Sequence, residues 1–211
     1  MTDIPLTRNT ASKKKESQIR NAVRNAENIP ELAYLARGND VDALTFLLQD
    51  PLISTPIYTL PDQINRNTVA NFIEHHLLER ERGEGLLMIS TDEDGRASAY
   101  HDIKIWPQWA ACELSGAIRR DRQNTGHGSS GATIAFRWLF EVIGIDLICE
   151  TAALDNVRTA RLLEKIGFIF RGKISSKLSG EGFRPSLYWE LERENWLSEP
   201  ASSDSLKESK L

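Results

Sequence analysis

The chain has 211 residues, 40% of them hydrophobic, enough for one globular domain with a packed core and room for tails. Its net charge of −4 disfavours non-specific binding to nucleic acid or to an anionic membrane. No apolar run reaches the ~18 residues that a membrane-spanning helix needs, and the N-terminus lacks the apolar centre of a secretory signal.

A soluble, cytoplasmic protein is therefore expected, with an acidic balance that suits an amine or other cationic substrate. Cys112 and Cys149 both fall inside strand-like runs. They read as small buried hydrophobes of a reducing compartment rather than as a disulfide or a metal site.

Residues 1–29 are polar and carry Lys13, Lys14 and Lys15. Ile19, Ala22, Val23 and Ala26 sit at helical spacing, so a short amphipathic helix is an option, but the segment reads as a flexible arm. Residues 32–37 form a short strand. A helix over 40–48 is capped near Asn39 or Asp40 and stopped by Pro51. The longer helix over 62–82 places Ile64, Val69, Phe72, Ile73 and Leu77 on roughly one face. Strands over 86–90 and 97–105 are joined through Asp94-Gly95, a hairpin signal, and 109–118 is the next strand. A helix reaches about Ile143 with Gly144 as its C-cap. Residues 146–149 form a buried strand, 156–165 a helix ending at Gly167, and 168–174 and 187–192 the last two strands. Residues 198–211, rich in Ser, Lys and Glu, read as a disordered tail. Residues 30–197 are thus one domain with a mixed α/β sheet of seven strands, mostly antiparallel and flanked by helices.

The segment Gln123-Asn124-Thr125-Gly126-His127-Gly128-Ser129-Ser130-Gly131 joins a strand to a long apolar helix. A Gly-rich turn opening a helix is an anion site, because free N–H groups and the helix dipole both favour negative charge. Three phosphate-binding readings compete. A Walker A loop needs Lys and then Ser or Thr after its last glycine; Ala132 and Thr133 stand there. Gly126, Gly128 and Gly131 spell the dinucleotide fingerprint, and Glu150 follows Gly131 by 19 residues. That fingerprint should directly follow a buried strand, whereas 119–123 is almost entirely charged, and 132–211 is too short for a doubly wound sheet. The pattern Gln-x-x-Gly-x-Gly at Gln123, Gly126 and Gly128 fits both flanks, as a loop for the pyrophosphate of coenzyme A.

With these residues the chain resembles the GNAT superfamily of acetyl-CoA-dependent N-acetyltransferases, and more narrowly its ribosomal-protein-alanine (RimJ/RimL) type. The helix Asn156-Val157-Arg158-Thr159-Ala160-Arg161-Leu162-Leu163-Glu164-Lys165-Ile166-Gly167-Phe168, Arg171-Gly172 and the closing Trp196 carry the rest of the likeness. The resemblance implies a GNAT fold in which two central strands splay apart, here 113–118 and 147–151, so that freed main-chain groups pair with pantetheine. It implies acetyl-CoA as cosubstrate, with Ile118, Gln123, Thr125, Gly126, His127, Gly128 and Ser129 around the pyrophosphate and pantetheine. Asn156 matches a position that bonds pantetheine, with Thr159 beside it. An N-cap role for Asn156 stands equally.

The chemistry implied is direct attack of an amine on the thioester. The acceptor is either a protein N-terminus or a small-molecule amine, with neither nucleic acid nor membrane as a partner; a homodimer is compatible. Glu113 and Glu150 are the candidate bases, one on each splayed strand. Many relatives place a Tyr before the Glu-Lys pair to protonate the thiolate; this chain has Leu163. Ser115, Tyr188 or water are left as the acid. His101 reads as structural, and adjacent His75 and His76 diverge on a helix by ~100° and form no metal face, so no metal is expected. Two rival classes are a non-catalytic acyl-CoA-binding sensor or interaction module and a nicotinamide-binding protein.

Overall fold

The computed structural model describes residues 4–123, 127–178 and 182–198. Its first regular element is α1 (Lys13–Asn25), opened by Ser12, whose side chain accepts from the Lys15 amide at 3.2 Å. Ile19 and Val23 share one helical face and are fully buried in the main core. This corrects the expectation of a flexible arm over that stretch. Two apolar positions a turn apart suffice because polar neighbours pin the helix flanks: Lys15 to Asp146 at 2.8 Å, Arg20 to Glu84 at 2.9 Å, and Arg24 Nε to the Glu81 carbonyl at 2.8 Å.

The chain then forms β1 (Asn28–Ile29), β2 (Ala33–Leu35), α2 (Val41–Leu48), and α3 (Pro51–Ser54). Asp50 caps α3 by accepting from the Leu52 amide, and Pro51 occupies the first helical position, where a missing N–H costs nothing. Helix α4 (Arg66–Arg82) starts after Asp62 because Asn65 is the cap: its Oδ1 accepts the Asn67 and Thr68 amides while Thr68 Oγ1 accepts the Asn65 amide. It ends at Gly83, whose φ of 74° is the left-handed conformation of a helix stop.

Strands β3 (Gly85–Thr91), β4 (Ala97–Trp106) and β5 (Ala111–Ile118) form a meander. Trp109, expected to open β5, lies in a 3-10 turn over Pro107–Trp109. Pro107 cannot donate to a ladder, and Ala110 turns the chain with φ 46°. Helix α5 (His127–Trp138) closes with a π turn, Leu139–Ile143, and is followed by β6 (Leu147–Ala153), α6 (Val157–Ile166), β7 (Ile169–Lys177), β8 (Phe183–Glu192) and α7 (Arg193–Ser198).

The sheet order is β1-β2-β3-β4-β5-β6-β8-β7, antiparallel throughout except for β5 beside β6. It has eight strands where seven were expected. The addition is β1, a two-residue strand in the segment read as arm. One face carries the main core, including Ile19, Val23, Ile103, Cys112, Phe136, Phe140, Ile148 and Leu163. The other packs Leu44, Leu48, Val69 and Ile73 of α2 and α4 on Leu87, Ile89 and Tyr100. A small third cluster, Cys149, Ile174 and Tyr188, is covered by Ile4 and Trp106.

Candidate active site

The parallel seam between β5 and β6 is only three pairs long: Ala111 with Leu147, Cys112 with Ile148, and Glu113 with Cys149. Past Glu113, β5 continues along β4 to Ile118, while β6 continues along β8 to Ala153. The facing edges of 114–118 and 150–153 therefore leave their mutual ladder and part, as the splay expected of these strands requires. The main-chain N–H and C=O groups of these two edges do not pair with each other across the opening. Gly116 permits the departure of β5: its φ is 154°, and a Cβ there would collide with the Tyr100 carbonyl oxygen.

Side chains alternate across a strand. Glu113 is thus on the face of Cys149 and Thr151, and its bonds agree. Tyr58 OH and Thr151 Oγ1 donate to Glu113 Oε1 at 3.0 and 2.8 Å, and the two hydroxyls lie 3.2 Å apart. Glu113 is 8% exposed. Burial pushes its pKa above the ordinary carboxylate value, against the pull of the Thr151 and Tyr58 hydroxyls. The result is a buried carboxyl with a raised pKa, held in place by two neutral donors.

Glu150 occupies the first position of β6 beyond the seam, but alternation turns it to the opposite face, with Ile148 and Ala152 of the main core. The structure does not bring the two candidate carboxyls together on one face. Burial, reinforced by the charge of Glu113, raises Glu150 well above the usual range, with the Leu114 amide opposing. Among the described residues its Oε1 has no hydrogen-bond partner.

Of the cofactor candidates, Ile118 and Gln123 stand at the end of β5 and Asn156 and Thr159 at the start of α6. Gln123 Nε2 donates to the Ile118 carbonyl at 2.8 Å, and its Oε1 accepts from Arg158 at 3.0 Å, so Gln123 clips the end of β5 to α6. Thr125 and Gly126 lie outside the described residues. His127, Gly128 and Ser129 form the first turn of α5, where N–H groups lack intrahelical partners and the helix dipole is positive. Asn156 caps α6, its Oδ1 accepting from the Thr159 amide at 3.1 Å.

A sequence model of the acetyltransferase (GNAT) domain matches residues 32–169. This chain belongs to the GNAT acetyltransferase family. As a GNAT protein it is an acyltransferase enzyme. It is similar in structure to the ribosomal-protein-S5-alanine acetyltransferase of Vibrio fischeri, with TM-score 0.66, 10% identity, and coverage of 78% of this chain and 93% of that one. It is similar also to spermidine N-acetyltransferase of Vibrio cholerae, solved with CoA and spermine (TM-score 0.66, 13% identity, 78% and 96% covered). RimJ of Mycobacterium smegmatis, in complex with CoA-disulfide, gives TM-score 0.65, 14% identity, and 77% and 81% coverage. No curated protein matches the chain in sequence.

Within this GNAT domain, sequence reasoning passed over the partners of Glu113. Tyr58 sits in the α3–α4 connection, its ring 4.4 Å beneath the Arg184 guanidinium, which also donates to the Pro56 carbonyl at 2.9 Å. No periodicity or motif points to it. Thr151 was legible in principle, since strand period two puts it beside the register partner of Glu113. Ser115 Oγ lies 3.4 Å from Thr59 Oγ1 on the same face.

Other expected candidates are structural. Tyr188 is fully buried, and its OH is taken by Glu190 at 2.7 Å. Leu163 is packed in the main core. His101 faces away from Glu113, 3.0 Å from Ser90 Oγ, and burial lowers its pKa to about 4. His76 is bonded to Asp102 at 3.0 Å and to the Phe72 carbonyl at 2.8 Å. No group of three or more potential metal ligands occurs among the described residues. A groove of about 930 Å³ lies further along the face of Glu113, lined by Phe46, Ile53, Arg96 and Arg119 among others, and includes neither Glu113 nor Thr151.

Proposed function

We propose that this enzyme transfers the acetyl group of acetyl-CoA to a primary amine by direct attack, with Glu113 taking the amine proton. The observation that carries the reading is the buried Glu113–Tyr58–Thr151 cluster at the point where β5 and β6 part. The freed edges 114–118 and 150–153 offer amides and carbonyls to the amides of a pantetheine arm. The first turn of α5 offers N–H groups to the pyrophosphate, each charge-assisted bond contributing about 1.5–3 kcal/mol. The thioester supplies the activated acyl carbon; the residues here bind, orient and deprotonate. Asn156 and Thr159 flank the arm at the start of α6, and Gln123 fixes the frame.

Glu113 fits the role of base. A carboxyl with a raised pKa is a better match to an amine than one held at the ordinary value. It is buried but wired to two hydroxyls, so a proton taken from an amine has a defined place to rest. Neighbours of this fold are named for a ribosomal-protein alanine and for spermidine, and either kind of primary amine suits the net acidic chain. We place the reaction in the cytoplasm; no helix among the described residues is long and apolar enough to cross a membrane.

The test is calorimetric titration with acetyl-CoA, CoA and NAD, followed by a screen of amines for release of the free CoA thiol. Binding of acetyl-CoA and CoA but not NAD, with thiol release on at least one amine, is expected. Binding without turnover on any peptide or polyamine would favour the sensor reading, and no binding would refute the proposal.

A further inference from the structure

Residues 4–11 precede the family match and bend round the starting end of β5 and β6. The Ala11 amide donates to the Gln108 carbonyl at 2.8 Å, and the Arg8 guanidinium lies 4.6 Å from the Trp109 ring. From there the segment crosses onto the face of Glu113. Glu190, 1% exposed, gathers it: Oε1 accepts the Leu6 amide at 2.6 Å and the Thr7 amide at 3.1 Å, and Oε2 accepts Thr7 Oγ1 at 2.8 Å. Tyr188 OH and Arg171 Nε, at 2.7 and 3.0 Å, complete the shell of the same carboxylate. Beyond this clasp, Ile4 packs on Cys149, Ile174 and Tyr188.

These contacts adjoin the proposed base. Cys149 is the register partner of Glu113, and Tyr188 is the register partner of Thr151, which bonds Glu113. Cys149 and Tyr188 are both fully buried, under a segment that belongs to no strand of the sheet. We propose that residues 4–7 are a strap clasped by Glu190, and that Ile4 forms a wall of the acceptor side that admits unbranched primary amines to Glu113 and excludes amines carrying bulk next to the nitrogen. This rests on the reading that Glu113 receives the amine. The strap is distinct from the cofactor side, which lies at the other end of the splay with Gln123, α5 and α6.

The experiment uses the full chain, a chain lacking residues 2–7, and Ile4→Gly. Peptide mass spectrometry follows alkylation by N-ethylmaleimide at Cys149, with Cys112 on the opposite face as the internal control for global loosening. In parallel, kcat/KM is measured for cadaverine and for phenylalaninamide, together with acetyl-CoA affinity. Both variants should alkylate Cys149 at least tenfold faster with Cys112 unchanged, raise the phenylalaninamide-to-cadaverine ratio at least tenfold, and leave acetyl-CoA affinity intact. Continued protection of Cys149, or its exposure with an unchanged ratio, overturns the proposal. Absence of turnover in all three proteins would count against the proposed transfer to amines instead, and the labelling alone would then decide whether the strap covers this face.

Discussion

Replacing Glu113 with Gln tests the proton path most directly. The amide keeps an oxygen for the Tyr58 and Thr151 hydroxyls, so the site should hold its shape while losing its base. A positioned base contributes about 10²–10⁴ in rate, or about 3–5.5 kcal/mol of barrier, and kcat/KM at pH 7 should fall by that factor with acetyl-CoA affinity unchanged. Raising the pH lets solvent do part of the work. A protein α-amine of pKa ~8 goes from roughly 10% to roughly 90% neutral between pH 7 and 9, which recovers about tenfold. A polyamine or lysine-type amine of pKa ~10.4 goes from roughly 0.04% to roughly 4%, recovering about a hundredfold. The slope of rescue in E113Q therefore reports the class of acceptor. Stability should move the other way. Burial raises the Glu113 pKa, so ionising it costs the folded state; wild-type stability falls as pH climbs from the usual carboxylate range through the raised value. E113Q should melt higher than wild type at pH 7 and no higher at pH 4. Activity within threefold of wild type at pH 7, or a loss that no pH recovers, would refute Glu113 as the base.

Gly116→Ala puts a Cβ against the Tyr100 carbonyl in a conformation that L residues avoid, so the urea midpoint should drop by about 1–3 kcal/mol of stability. Ile19→Ala removes a fully buried side chain from the interface of α1 with the sheet; thermal unfolding should show a loss of about 2–5 kcal/mol, and a change near zero would mean that α1 is not docked in solution. Asn156→Ala deletes the α6 cap at about 1 kcal/mol. Calorimetry should show weaker acetyl-CoA binding as well, and a stability loss with unchanged affinity would confine Asn156 to capping.

Much of the frame could be read from residue type. Gly83, Gly144 and Gly167 each end a helix in the left-handed conformation, the periodicity of 62–82 gave α4, and the seam fell between the two strands expected to part. The failures have local causes. Helix α1 is hard to read because Lys13, Lys14 and Lys15 dominate its start, although Ile19 and Val23, with Ala22 and Ala26 beside them, are enough to dock it. The extensions Ser175–Lys177 and Phe183–Ser186 of the last two strands are polar or contain Pro185, and neither signals a strand. Glu113 and Glu150 stood out as charges in apolar runs, but which face each takes depends on register, which a single chain does not reveal. Tyr58 reaches Glu113 through a loop whose path is set only by tertiary packing.

The clasp at Glu190 has a consequence for how the molecule is made. It joins residues separated by 183 and 184 positions, so Leu6 and Thr7 must wait for Glu190 to leave the ribosome. At about 5–20 residues per second that wait is on the order of 10–40 s, and loops this long close late in folding. During that interval Ile4 has no Cys149, Ile174 and Tyr188 to pack on. The newborn chain thus keeps Ile4 unpacked until synthesis has passed β8.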